Sequence, residues 1–361
     1  MRVLHVLNEL RASGAETMLR SAARQWHVHG VEAEILAIAA APGPYADALR
    51  AAAYRVHHVP DVPLWSVPWR LMRQVSAGRY DVVHLHAERG SFWFALASRL
   101  GGATVVRTVH SCFAFRGILA LERTVQRALL RATGAVAHIA VGPMVAENER
   151  RRFRNRAEVV ENWVAPEFVP PDPAGRARAR TALGIDDGRP VLISVGNCAP
   201  VKRHETVLAA LAHPLCPTDV YYLHVGDEEE SGEERELAAR LGVADRVRFL
   251  GRADPLPMLH ASDLFVMPSA YEGLSIAAVE ALATGLPAVL ADAPGLRDFA
   301  WASPAVTLTD PDPAALAGAI TSALQSGAAD RDASALIHDR YGMERGVAQY
   351  ASCYRNLMGR K

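Results

Sequence analysis

The sequence predicts an α/β protein built from two doubly wound parallel sheets, each a Rossmann-like unit. Three observations carry this. Short apolar runs alternate with helical patterns along almost the whole chain. Most of the runs lack the polar alternation of a half-wet sheet, as strands covered on both faces should. The alternation is interrupted once and then restarts. The 361 residues suit two domains of ordinary size. With half of them hydrophobic, a mostly disordered chain is excluded.

In the first half, strands are expected at 3–7, 34–39, 56–59, 82–86, 104–109, 136–141 and 159–161, with helical patterns such as 16–27 and 119–131 between them. Residues 165–188 then carry Pro166, Pro170, Pro171 and Pro173 with few apolar runs, which reads as a linker. Strands resume at 191–195, 220–225, 247–250, 264–267, 288–291 and 306–308, with helices at 206–212, 235–241 and 275–283. The first domain is therefore placed at 1–168 and the second at 185–342. A last helix, about 343–361, is expected to pack back on the first. Two such units would face each other across a cleft, with ligands outside the carboxyl ends of the strands.

Charge and cysteine usage narrow the function. Lys+Arg and Asp+Glu both number 39, so the basic excess of a nucleic-acid binder is missing. No run of about 18 uncharged apolar residues offers a transmembrane span. Glu9, Arg11 and Glu16 interrupt any secretory signal. Cys112, Cys198, Cys216 and Cys353 lie far apart, suggesting neither a zinc knuckle nor a disulfide framework, and a reducing cytoplasm fits.

The sharpest chemistry lies at residues 268–282. A strand ends near Pro268, a glycine-containing turn follows, and a helix starts near Ser275. The amides of Gly273, Leu274 and Ser275 would then point out of a helix N-terminus, where phosphate binds without a cation. Glu280, inside that helix, can accept from two adjacent ribose hydroxyls, and Glu272 from a sugar. The competing structural reading is a capping box from Ser269 to Glu272. It would bury Gly273 in the first turn of a helix. Lys202, just after a strand and Gly196, is placed to stabilise a leaving diphosphate. Asp310-Pro311-Asp312 has the spacing of a metal-binding pair but sits among prolines in an apparent loop. His84 and His86 share a strand face with Glu88 nearby, too few ligands for zinc. No metal and no cofactor are expected.

The Glu-x7-Glu spacing of Glu272 and Glu280, followed by Ala-Leu-Ala-x-Gly-x-Pro at 281–287, resembles the signature of family 4 of the glycosyltransferases. These are the group 1, retaining enzymes of the GT-B fold. Five further blocks resemble the family in the right order. They are Ser13-Gly14-Ala15-Glu16, Val160-Glu161-Asn162, Val195-Gly196 through Lys202, Val225-Gly226-Asp227 and Phe249-Leu250-Gly251. The resemblance implies a nucleotide-sugar donor in the second domain, UDP favoured, held by Gly14, Gly196, Lys202, Glu272, Gly273, Leu274, Ser275 and Glu280. It departs at Asn197, where an arginine commonly follows the glycine. Arg203 or Arg252 could replace that charge.

In the first half, His110 ends a strand and should face the cleft by the crevice rule. The resemblance places it near the donor sugar. With Lys202 and Glu272 it completes the expected catalytic set. His86, Glu88 and Arg89 follow another strand and are candidates for an unidentified hydroxyl acceptor. Phe92, Trp93, Phe94, Phe113 and Phe115 add aromatic surface for stacking or core. Residues 119–130, with Arg123 and Arg127, form an amphipathic pattern suited to covering the sheet. A peripheral contact with an anionic membrane is the alternative. Other readings are a nucleotide-sugar epimerase of the same architecture or a non-catalytic nucleotide-sugar binder.

Overall fold

The computed structural model describes residues 1–359 except 62, 135, 187, 229–231, 303 and 328–330. It divides into two units, Met1–Ala165 with the last helix, and Pro166–Gly342. The expected helix ended at 361, and its last residues, 360 and 361, lie outside the described residues.

The first unit contains β1 (Arg2–Leu7), α1 (Gly14–Ala22), α2 (Gln25–Val28), β2 (Glu32–Ile38), α3 (Ala46–Ala51), β3 (Arg55–Val59), α4 (Val67–Gly78), β4 (Val82–Leu85), α5 (Ser91–Leu100), β5 (Thr104–Val109), α6 (Gly117–Ala132), β6 (Val136–Ala140), α7 (Pro143–Phe153) and β7 (Glu158–Val159). Its sheet runs β3-β2-β1-β4-β5-β6-β7, with every described pair parallel. The second unit contains α8 (Pro173–Leu183), β8 (Val191–Val195), α9 (His204–Leu211), β9 (Tyr221–Val225), α10 (Glu233–Arg240), β10 (Val247–Phe249), α11 (Pro255–Ala261), β11 (Leu264–Met267), α12 (Ile276–Ala283), β12 (Ala288–Ala291), β13 (Val306–Thr309), α13 (Pro313–Ser326) and α14 (Arg331–Tyr341), and α15 (Met343–Met358) returns to the first unit. Its sheet, β10-β9-β8-β11-β12-β13, is parallel as well.

Strand order reverses between β1 and β4 in one sheet and between β8 and β11 in the other. At such a switch point neighbouring connections leave in opposite directions and open a crevice. The apolar runs are explained by burial on both faces. Val3, Leu4, Val6, Val82, Val83 and Leu85 are all fully buried, and so are Leu264, Phe265 and Val266. The helix expected at 16–27 is instead two, broken after Ala22. The break turns Trp26 inward, where its indole N–H donates to the Tyr54 hydroxyl at 2.9 Å.

Two expectations are corrected. The proline-rich stretch is not an open linker but contains α8. Asp172 caps it by accepting from the Gly175 amide, Pro173 opens it and Gly184 closes it in the left-handed region. Arg180, 1% exposed, donates from that helix to the carbonyls of Ala261, Asp186 and Arg189 and pairs with Asp263. Second, α6 does not simply lay an apolar face on its sheet. Arg127 is buried, with its Nε and Nη2 on the Glu149 carboxylate at 2.8 and 3.0 Å, while Ile118, Leu121, Val125 and Leu129 are exposed.

The last helix is tied down at close quarters. A Cβ on Gly346 would lie 2.4 Å from the Trp163 ring, so only glycine fits there. Tyr354 and Tyr350 of α15 reach His84 at 2.6 Å and Thr108 at 3.1 Å.

Arg180→Met is expected to destabilise the protein by about 3 kcal/mol, because it strands carbonyls and a carboxylate that the guanidinium now satisfies. Urea denaturation reads this directly, and an unchanged midpoint would show that α8 is dispensable.

Candidate active site

In the second unit the loops after four adjacent strands converge. Gly196 follows β8, Gly226 follows β9, residues 268–275 follow β11 and residues 292–295 follow β12. The loops are stitched by the backbone. The Gly196 amide donates to Val225 O at 2.8 Å, the Cys198 amide to Asp227 O at 2.8 Å and the Ala270 amide to Val201 O at 2.8 Å. The Glu272 amide donates to Pro294 O at 2.9 Å. Two glycines make this approach feasible. At Gly226 (φ +152°) a Cβ would stand 2.2 Å from the Gly196 carbonyl oxygen, and at Gly295 (φ +85°) 2.3 Å from the Gly273 oxygen.

The stitched loops bring Lys202 and Glu272 together, Nζ to Oε1 at 2.7 Å, both mostly shielded from solvent. Gly196 lies under the lysine stem, and its missing Cβ would sit 3.5 Å from Lys202 Cε. Ser275 is the N-cap of α12 and accepts from the Ala278 amide at 3.3 Å. The capping-box alternative therefore fails. Ser269 is fully buried before the turn, and the Glu272 amide serves the β12 loop instead of a helix. The three turn amides stand at the mouth of a helix whose Glu280 is buried at 6% exposure.

The departure at Asn197 has a structural consequence. Its Oδ1 accepts from the Asp227 amide at 2.9 Å and so joins the β8 and β9 loops. Arg252 does not stand free to replace the charge, since its guanidinium pairs with Asp227. Arg203 occupies the left-handed N-cap of α9. Asp312 caps α13 by accepting from the Ala314 and Ala315 amides, both at 3.0 Å, which gives the second acid of the Asp-x-Asp pair a structural use. A cavity of about 440 Å³ in this unit is lined by Pro190, Asp263 and Pro287, residues that precede strands. It lies at the amino ends, away from the converging loops.

In the first unit a cavity of about 430 Å³ is lined by Asn8, His86, Glu88, Arg89, Thr108, His110, Phe113, Phe115 and Arg123. His86, Glu88, Arg89 and His110, named from the sequence as acceptor-site and catalytic candidates, meet there. Glu88 is already engaged, by Arg107 and by Arg127 at 3.2 Å. Arg89 is exposed. Phe113 and Phe115 stack with ring centroids 5.3 Å apart, and the Arg123 guanidinium lies over Phe115 at 5.8 Å. Phe94 belongs to the core and Phe92 packs against it, while Trp93 is exposed.

Burial lowers the pKa of His110 to about 4 and of His86 well below the ordinary range, with nearby charged or ionisable groups as the smaller cause, so both rings are neutral at pH 7. His5, which the sequence did not single out, joins His84 and His86 with ligand-type nitrogens within 4.8 Å. Both nitrogens of His84 already face Tyr354 and Thr108, and both of His86 face other imidazoles. Glu88 is turned toward arginines instead. Gly14 and Ala15 open α1, and Ser13 bonds the buried Glu16 carboxylate. Asn8, directly after β1, was open to the same crevice rule that found His110. Arg123, from the middle of a helix, carried no comparable signal.

Residues 12–168 match the family described as Glycosyltransferase Family 4, and residues 175–336 match Glycosyl transferases group 1. A glycosyltransferase of Bacillus subtilis (strain 168), EpsF, is 30% identical over 307 residues, covering 81% of this chain and 79% of its own. The chain belongs to the group 1, family 4 glycosyltransferases. The D-inositol 3-phosphate glycosyltransferase of Nocardia farcinica (strain IFM 10152) is 29% identical over 328 residues, 81% of this chain and 69% of its own. HepE of Anabaena, crystallised with UDP and glucose, matches at a TM-score of 0.83 and 22% identity over 99% of this chain and 100% of its own. Sucrose-phosphate synthase of Thermosynechococcus elongatus matches at 0.79 and 19%, over the whole of both chains. The fold is GT-B.

Gly226→Ala is expected to destabilise the protein by at least about 2 kcal/mol through overpacking and strain. Gly188→Ala, with open space at its Cβ, should stay within about 0.5 kcal/mol. Equal melting points for the two variants would show that the loops do not depend on this close approach.

Proposed function

We propose that this glycosyltransferase is retaining and metal-independent, moving a sugar from a nucleotide-diphosphate sugar, UDP favoured, to a hydroxyl-bearing acceptor. The observation that carries the reading is the Lys202–Glu272 pair beside the amides of Gly273, Leu274 and Ser275. HepE crystals that contain UDP and UDP-glucose support the choice of base. Four widely spaced cysteines, with no disulfide among the described residues, support a cytoplasmic setting.

Each group has a role that its surroundings suit. Glu280 holds the ribose hydroxyls. The turn amides and the α12 dipole hold the diphosphate. Gly14, at the start of α1, adds helix-start amides. Lys202 stabilises charge growing on the leaving diphosphate, and Glu272 accepts from sugar hydroxyls. Gly196 and Asn197 shape the loop, with Arg203 the nearest further cation in sequence. Arg252 acts through Asp227. His110 donates to a substrate oxygen, and His86, Glu88 and Arg89 line the acceptor cavity.

In the transfer the acceptor oxygen bonds to the anomeric carbon on the face from which the diphosphate departs. The bond from that carbon to the phosphate oxygen breaks with its electron pair. A departing phosphate oxygen takes the acceptor proton, so configuration is retained without a protein nucleophile.

Lys202→Ala should lower kcat by about 10²–10³, the cost of losing one preorganised charge stabiliser. Glu280→Ala should weaken UDP binding by about 1.5–3 kcal/mol in calorimetry. Turnover should persist in EDTA and yield the retained anomer by NMR. Loss of activity in chelator that added metal restores would refute metal independence.

The acceptor side points to a peripheral membrane contact. Ile118, Leu121, Val125 and Leu129 of α6, Trp93 and Leu96 of α5, and Trp69 of α4 are exposed, and α4 packs on α5 and α5 on α6. These helices carry Arg70, Arg73, Arg99 and Arg131 against a single acid, Glu122. Such a face suits an anionic lipid surface. Among the described residues no helix is long and apolar enough to cross a membrane. The protein should sediment with phosphatidylglycerol vesicles but not with pure phosphatidylcholine, and Ile118→Asp with Leu121→Asp should abolish sedimentation. Dimers in light scattering with no vesicle binding would assign the face to a second copy instead.

A further inference from the structure

His5 from β1, His86 after β4 and His110 after β5 form a chain of imidazoles across three neighbouring strands. His5 Nδ1 stands 3.0 Å from His86 Nε2, and His86 Nδ1 stands 2.9 Å from His110 Nε2. The ring planes are tilted by 31° and 32° in the two contacts. The chain begins in the dry core and ends at the first unit's cavity, which His86 and His110 line.

Burial keeps these rings neutral, and a neutral imidazole has one N–H and one bare nitrogen. Each nitrogen–nitrogen contact therefore needs one of each, which leaves two concerted arrangements. In one, every ring carries its proton on Nδ1. His5 donates to His86, His86 donates to His110, and His110 has an N–H left for the cavity. In the other, every proton sits on Nε2, the donations reverse, and His110 offers a bare nitrogen.

The buried end decides between them. Among the described residues, His5 Nε2 is buried with no hydrogen-bond partner. The second arrangement would strand an N–H there, the first only a bare acceptor. Orphaned buried N–H groups are the rarer defect in folded proteins. We infer that His5 and His86 are positioning residues that hold His110 as a neutral Nδ1–H donor toward the substrate. This rests on the proposed role of His110, and it deepens that role. Among the described residues no group stands at the inner end to supply a proton, so the chain is not read as a proton path. It sets a tautomer, and a substrate oxygen accepting from His110 would polarise all three rings in the same sense.

Histidine tautomers are read directly by long-range 1H–15N spectra of the full-length protein labelled with 15N-histidine, at pH 7, with assignments from single substitutions. The expected result is Nδ1–H for His5, His86 and His110 alike. An Nε2–H or charged form for any of the three would overturn the inference. His5→Phe keeps the ring volume but removes the inner donor. It should lower kcat about tenfold, the scale of one preorganised neutral hydrogen bond, with the donor KM within about twofold. A folded His5→Phe with wild-type kcat would overturn it too, provided that His110→Ala has lost activity. If His110→Ala turns over normally, the proposed role of His110 fails while the wild-type spectra still decide the tautomer.

Discussion

A carbonyl oxygen of Gly196 occupies the space where a side chain at residue 226 would begin. At 2.2 Å from that virtual Cβ, the β8 and β9 loops are closer than any pair of ordinary residues allows. Gly295 repeats the arrangement against Gly273 on the other side of the switch point. These approaches let backbone amides and carbonyls pair directly between loops. With the backbone joined in this way, Lys202 and Glu272 lie within hydrogen-bond distance although 70 residues separate them in sequence. Asn197 takes part in the same stitching, which gives the position a use that an arginine would not fill.

The two units solve the problem of placing polar groups in different ways. The second gathers backbone amides and the Lys202–Glu272 and Arg252–Asp227 pairs at strand ends, where helix dipoles are available. The first buries charge and compensates it. Arg107 and Arg127 are matched by Glu88 and Glu149, and the Asn155 amide adds a bond to Glu149 at 2.8 Å. Drawing Arg127 inward for this network is what leaves the apolar residues of α6 on the surface. The polar interior and the exposed apolar face have one cause.

Much of the architecture was readable before any coordinates. Strands buried on both faces print long apolar runs, and both sheets were located from these to within a few residues. The errors share a physical origin. The stretch at 165–188 was read from its prolines, although Asp172, Pro173 and Gly184 are the ordinary punctuation of a helix. Within the helix Pro173–Leu183 the buried residue, Arg180, is charged and so gives no hydrophobic signal. In α6 the period was right and the direction wrong, because a sequence pattern shows which residues share a face and not which face meets the protein.

By itself the sequence determined the two-sheet plan, the family, and the glycine-marked turn with Glu272 and Glu280 eight residues apart, because these depend on local chemistry and spacing. Only the tertiary structure decided which groups are engaged. It showed Glu272 on Lys202, Arg252 on Asp227, Glu88 between two arginines, and His5 behind His86 and His110. Apart from Arg127 of α6, those partners lie on or just after strands that are neighbours in the sheet but distant in the chain. No local pattern encodes a contact whose two halves are brought together only when the sheet forms.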